Sequence, residues 1–140
     1  MIRKLEKKDI DTVIRIWFEE NKKVHNFIPE SYWLGKIDEV KDILPQTEVY
    51  VYESGGEIKG FIGLVESYIA GIFISSEWHF KGIGKKLLYH VKDKKQHFSL
   101  NVYIKNFRAI NFYKRENFKA ISESFDEATG EKELIMIWEK

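Results

Sequence analysis

The run Ile69-Ala-Gly-Ile-Phe-Ile-Ser-Ser-Glu-Trp-His-Phe-Lys-Gly-Ile-Gly-Lys-Lys-Leu-Leu88 constrains the fold more than any other part of the chain. An apolar strand leads into a tight glycine turn, and the turn opens an amphipathic helix. Gly82 and Gly84 let backbone N–H groups face outward with no Cβ in the way. The helix adds its unpaired N-terminal donors and a partial positive charge. A strand–loop–helix unit of this kind is a pocket for a phosphorylated ligand. Two familiar phosphate loops are excluded. A dinucleotide fingerprint needs a third glycine where Leu87 stands, and no G-x-x-x-x-G-K-[ST] run exists. What remains is H-x-x-G-x-G, from His79 to Gly84.

A second segment, Asn106-Phe-Arg-Ala-Ile-Asn-Phe-Tyr-Lys-Arg-Glu-Asn-Phe118, follows in the chain. The first segment resembles the acyl-CoA signature [QR]-x-x-G-x-[GA] of the GNAT (Gcn5-related) N-acetyltransferases. The second resembles that family's N-x-x-A-x-x-F-Y-x-x-x-G-F, with Asn106, Ala109, Phe112, Tyr113 and Phe118 in place. Asn117 stands where the family usually has Gly, a mild departure because Asn tolerates the left-handed conformation after a helix end. Two linked signatures in the right order are far more specific than either alone, and small bacterial members of the family are the nearest in pattern.

Composition narrows the partners. The 140 residues suit one domain, 1–140, with a full core. A net charge of +1 favours neither nucleic acid nor membrane. The chain has no cysteine, which removes disulfides, thiolate metal sites and a cysteine nucleophile, and fits a reducing compartment. Apolar runs such as Ile69 to Ile74 are too short to span a bilayer, and the N-terminus lacks a signal-peptide core. The expectation is a cytoplasmic protein. The four histidines lack metal-ligand spacing, so no metal is expected.

Periodicity and punctuation predict the elements. Met1 to Leu5 reads as a strand. Asp9 or Asp11 caps a helix to about Lys22, with Ile10, Val13, Ile14 and Trp17 inward. Pro29 starts a second helix that Pro45 stops. Glu48 to Glu53 and Ile58 to Glu66 form a hairpin about Gly55-Gly56. Strand Ile69 to Ile74 precedes the loop, and its helix runs to about Lys95. Phe98 to Ile104 is a strand, Asn106 caps a helix to Glu116, and Phe118 to Phe125 with Glu133 to Trp138 close the sheet. The order β-α-α-β-β-β-α-β-α-β-β is mixed α/β (α+β), with a mostly antiparallel sheet of seven strands flanked by four helices. It is also the order of the GNAT acyl-CoA N-acyltransferase fold. In that fold the strand before the loop and the strand Phe98 to Ile104 are parallel neighbours that splay apart, and the cofactor enters the gap.

The resemblance implies roles residue by residue. Acetyl-CoA is the acyl donor, its pyrophosphate on the backbone N–H groups of His79, Phe80, Lys81, Gly82, Ile83, Gly84 and Lys85. His79 replaces the usual Gln or Arg, and Ser76 stands where many members carry Pro. The backbone of Ile72, Phe73 and Ile74 pairs with the pantetheine arm while the side chains pack. Lys81, Lys85, Lys86 and Arg108 either meet the remaining phosphates or form a solvated basic face. Tyr113 is the expected acid for the departing thiolate; the alternative is a core aromatic. Asn106 either bonds the pantetheine or only caps its helix, and Asn101 is a weaker candidate for the same arm. A primary amine must lose a proton first, at roughly 4–5 kcal/mol for a lysine-like amine at pH 7. Many members use a glutamate on the strand before the loop; here Glu66 and Glu77 only flank it.

The acceptor, a small-molecule or peptide amine, is expected between the first two helices, where His25, Phe27, Tyr32 and Trp33 either line a pocket or fill the core. His90 and His97 read as surface positions. The segment Leu134 to Trp138 is apolar enough for a dimer edge, although core burial explains it equally. Two rivals to direct acetyl transfer in a ternary complex stand: a GNAT-fold module that binds CoA without transfer, and a nucleic-acid-binding module using Lys85, Lys86, Lys92, Lys94 and Lys95.

Overall fold

The computed structural model describes all residues, Met1–Lys140, as one seven-stranded sheet with helices on both faces. The strands are β1 (Ile2–Lys4), β2 (Glu48–Ser54), β3 (Glu57–Val65), β4 (Tyr68–Ile74), β5 (His97–Tyr103), β6 (Lys119–Asp126) and β7 (Glu131–Glu139). The helices are α1 (Ile10–Val24), α2 (Glu30–Ile43), α3 (Ile83–Lys92) and α4 (Phe107–Arg115). The sheet order is β1-β2-β3-β4-β5-β7-β6, with β4–β5 the one parallel pair. Fold class and element order follow the sequence expectation.

Strand alternation supplies two cores. Tyr50 of β2 with Ile62 and Leu64 of β3 face Leu87, Leu88 and Val91 of α3 and Ile110 and Tyr113 of α4. Val49, Val51 and Phe61, one residue out of phase, face Val13, Ile14 and Ile16 of α1. No helix is long and apolar enough to cross a membrane.

Four local expectations are corrected. Asp9 precedes α1 without capping it; its carboxylate instead accepts from Arg3 at 2.7 and 3.1 Å and from the Glu6 N–H at 2.8 Å. Pro29 sits just before α2, at its N-cap, where its missing N–H costs nothing. Helix α3 ends at Lys92, because the Lys94 N–H bonds back to Val91 and tightens the last turn. Strand β7 is not an edge: it lies between β5 and β6, with Met136 and Trp138 in the core. Asn117 does take the left-handed conformation its position asked for, at φ 72°.

The feature that positions the site is in β4. Its pairing with β3 slips between Gly63 and Leu64, so Ala70 has no partner opposite it. Such a bulge bends and twists the strand. On its other side β4 pairs with β5 only at Tyr68↔Ser99, and from there the two strands part. Gly60 lets β3 hold the far end of β4 closely. A Cβ at Gly60 would stand 2.6 Å from Ile74 Cδ1 and 2.9 Å from the Phe73 carbonyl oxygen. Gly60→Ala should therefore destabilise the protein by about 1–3 kcal/mol in urea unfolding, since backbone as well as side chain must yield. An unchanged midpoint would show that β4 has room to move.

Candidate functional site

Where β4 and β5 part, a cleft of about 820 Å³ opens toward the loop that follows β4. Ile72, Phe73 and Ile74 form one wall, and Asn106, Ala109, Phe112 and Tyr113 form the other. The floor is His79, Phe80, Gly82, Ile83, Gly84 and Lys85. Glu20, Val24 and His25 of α1 close one side.

The loop is shaped for an anion. After a single 3₁₀ turn, Ser76–Trp78, the chain takes left-handed conformations at Phe80 (φ 63°) and Gly82 (φ 79°). Glycine does this freely; for an aromatic it is strained. The Phe80 ring is 85% exposed with the Arg108 guanidinium 5.1 Å above it. Helix α3 starts with no side-chain cap and no acidic residue in its first turn, so its leading N–H groups and the positive end of its dipole face the cleft uncompensated. A Cβ at Gly84 would meet the Phe112 ring only at 3.7 Å, so glycine there is not required by packing; it bares the helix start instead.

The structure brings Ile72, Phe73, Ile74, His79, Phe80, Gly82, Ile83, Gly84, Lys85, Asn106, Arg108 and Tyr113 to this cleft. Lys81 and Lys86 lie outside it, Lys86 over the Tyr52 ring. Glu66 is exposed on the β3–β4 turn at φ 56°, and Glu77 is exposed too; neither reaches the cleft. Lys92, counted among free basic groups, is engaged internally: its ammonium donates to the Glu116 carbonyl at 2.7 Å and sits 4.8 Å from the Trp138 ring centre. His90 is not a free surface group either, since its ring meets Tyr50 at 4.9 Å and burial lowers its pKa.

Tyr113 is 8% exposed, and burial, then the neighbouring Tyr68, pushes its pKa well above the ordinary phenol range. It stays protonated at every physiological pH. Asn106 does cap α4, accepting from the Ala109 N–H at 3.2 Å. It also donates to His25 Nε2 at 3.0 Å. His25 Nδ1 in turn donates to Asn21 Oδ1 at 2.8 Å, and Asn21 donates to the Trp17 carbonyl at 3.0 Å. This row fixes His25 as the neutral Nδ1–H tautomer. Burial lowers its pKa to about 4.

His25 ties the cleft to the opposite face of the sheet. Its ring packs against Tyr103 at 5.0 Å, Trp33 at 5.7 Å and Phe27 at 5.8 Å, and Trp33 meets Tyr32 at 4.9 Å. The four aromatic positions expected at the acceptor side thus gather in one cluster. Beside them stand two carboxylates that sequence reading missed. Asp126 accepts from the Tyr103 hydroxyl at 2.7 Å. Glu133, cross-strand partner of Tyr103, is half-buried, and its one contact is a long 3.4 Å bond from Asn101. Burial raises the Glu133 pKa. The Tyr68 hydroxyl donates to Asn101 at 3.3 Å, which extends this polar row to β4. Strand alternation on β5 and β7 would have put Asn101, Tyr103 and Glu133 on one face; only their register across the sheet brings them together.

A family profile for the acetyltransferase (GNAT) domain matches residues 45–120. The peptidyl-lysine N-acetyltransferase YiaC of Escherichia coli is 31% identical over 140 residues, covering 99% of this chain and 96% of the relative. The solution structure of apo-form YjaB from Escherichia coli superposes with a TM-score of 0.86 at 24% identity, over 98% of this chain and 95% of that one. A putative streptothricin acetyltransferase from Bacillus anthracis, solved in complex with acetyl coenzyme A, shares the fold at a TM-score of 0.61 and 20% identity, over 67% of this chain and 62% of that one. The chain belongs to the GNAT family and is an N-acetyltransferase, and acetyl-CoA is the donor that the family uses.

The His25 row gives a pH dependence with a definite sign. Its folded pKa of about 4 lies below the ordinary 6.5. The stability tied to neutral His25 is therefore complete above pH 6.5 and is lost as pH falls from there toward 4. In urea unfolding the protein should lose about 3 kcal/mol more than His25→Gln across that window. Parallel pH curves would mean that His25 charges freely in the fold.

Proposed function

We propose that this protein moves the acetyl group of acetyl-CoA to the side-chain amine of a lysine in a peptide or protein, by direct attack in a ternary complex. The observation that carries this is the parting of β4 from β5 after Tyr68↔Ser99. It leaves a backbone edge on one wall of the cleft and a protonated tyrosine on the other, with His25 at the side joining the cleft to the aromatic cluster around Tyr103. The activity for which the relatives YiaC and YjaB are named, peptidyl-lysine N-acetylation, agrees with it.

The residues divide the work. Backbone N–H groups from His79 to Lys85 receive the pyrophosphate, with Lys85 and Arg108 beside them. The backbone of Ile72, Phe73 and Ile74 pairs with the pantetheine arm as an added strand would. The amine approaches from the Tyr103 face. Glu133 and Asp126 suit an ammonium there: neither has a cationic partner, and Tyr32, Tyr68 and Tyr103 supply ring faces for the charge and the methylene stem. Glu133, with its pKa raised, takes the proton that the amine must shed. The nitrogen then forms its bond to the thioester carbonyl carbon; as the carbon–sulfur bond breaks, Tyr113 gives its proton to the departing sulfur, and the second proton shed by the nitrogen restores the tyrosine hydroxyl, leaving amide and thiol. A thiol ionises below a buried tyrosine, so the proton follows the breaking bond rather than leading it.

Three measurements test this. Acetyl-CoA at a hundred times its dissociation constant should add about 2.7 kcal/mol, several degrees in Tm, where ATP and NAD add nothing. Tyr113→Phe should cut turnover by more than about tenfold and leave acetyl-CoA affinity within about threefold. Glu133→Gln should lower kcat/KM for a lysine peptide by about tenfold or more, with the ascending, acid-side limb of the pH–rate profile moved to higher pH. A missing carboxylate on β4 leaves a second reading, a CoA-binding module without transfer. A Tm shift with acetyl-CoA but no thiol release with any amine would favour it.

A further inference from the structure

Glu20 is a buried carboxylate that lines the cleft and that the reaction does not use. It is 5% exposed, on the inner side of α1, one turn before His25. Two groups donate to it: the Ser76 hydroxyl at 2.7 Å and His79 Nε2 at 2.8 Å. His79 Nε2 also lies 2.8 Å from the Ile74 carbonyl oxygen, so that nitrogen carries the proton and the imidazole bridges β4 and α1. Lys23, the next turn's cation, donates to Ser76 at 3.0 Å. Ser76 and His79 are the two positions at which the loop departs from the family's usual Pro and Gln or Arg. Both departures meet at one carboxylate.

We propose that Glu20 is a positioning residue for the phosphate loop. A loop with proline is stiffened by its own ring. Here Ser76 leaves the backbone freer, and a buried carboxylate holds the loop by two short bonds, one of them to a side chain that also grips the end of β4. Charge-assisted bonds in a water-poor site are the strong ones, and they set the loop before any ligand arrives. The same turn of α1 carries Asn21 and His25, whose row reaches Asn106 on the opposite wall. One segment, Glu20 to His25, thereby spaces both walls of the cleft. Through this arrangement α1 sets the affinity for the pyrophosphate while leaving the chemical step to Tyr113.

The inference rests on the cleft binding CoA, and the test separates the two. Binding of CoA and of pantetheine, which lacks the pyrophosphate, is measured by calorimetry for the unaltered protein, Glu20→Gln, His79→Gln and the double variant. Glu20→Gln should weaken CoA roughly tenfold, with a much smaller loss for pantetheine. With acetyl-CoA the loss should fall on KM and spare kcat. In the His79→Gln background the further loss should shrink to less than about threefold, because the bond the two changes share is already gone and only the Ser76 contact is left to lose. Ser76→Ala with His79→Gln leaves α1 untouched and should reproduce the CoA loss if Glu20→Gln does not fold. Equal losses for CoA and pantetheine, full additivity, or unchanged CoA affinity would each overturn the role of Glu20. Failure of the unaltered protein to bind CoA would instead overturn the reading of the cleft.

Discussion

The site depends on a hydrogen-bonding failure. Parallel strands normally stay paired along their length because each unpaired N–H and C=O in a sheet interior is costly. Here β4 and β5 meet at a single pair and then diverge. The bulge at Ala70 bends β4 away, and close packing at Gly60 holds it there. The divergence leaves main-chain groups on β4 without a partner strand, and in our reading the pantetheine arm of the donor supplies one. The bare start of α3 is the same device at the other end of the cleft: unpaired N–H groups awaiting an anion.

The two faces of the sheet hold different chemistry. The face under α3 and α4 is apolar apart from the cleft wall, with Phe98, Leu100 and Val102 of β5 inside it. The opposite face of the same strand carries Asn101 and Tyr103, and across from them Glu133. In our reading, a donor held on one face and an amine received on the other meet where the strands part, with no covalent relay. A polar row of hydrogen bonds joins Glu133, Asn101 and Tyr68 on the second face.

Helix α1 couples these parts. Its outer turns pack on β2 and β3, and its last turn bonds the loop through Glu20 and the α4 cap through Asn21 and His25. Neutral His25 follows from this: in a row where Asn106 donates and Asn21 accepts, a second ring proton would face a donor, and the surrounding aromatics offer a charge no water. Asn106, read as either cap or ligand, does the first and links the walls as well.

Much of this was legible in the residues. The strand, glycine turn and helix of Ile69 to Leu88, and the cap, stripe and left-handed Asn117 of the second segment, are local, set by backbone freedom, periodicity and capping within a few turns of chain. They carried the order of elements and most of the cleft. Pairs distant in sequence were not legible. Leu134 to Trp138 reads equally as an edge or as core until β6 is seen to fold outside it; even Asp9, only a few positions from Arg3 and Glu6, reads as a helix cap until they are seen to hold it. Glu20 has no motif; it is defined by Ser76 and His79, which lie more than fifty positions further along the chain. Glu133 became prominent only because sheet register set it beside Tyr103, in a half-buried place without a cation. The sequence alone determined which segments form which elements and where an anion can sit, because those depend on neighbours along the chain. Tertiary structure decided which carboxylates are buried, paired or left waiting for a charge, because burial and hydrogen bonding belong to what the fold brings together.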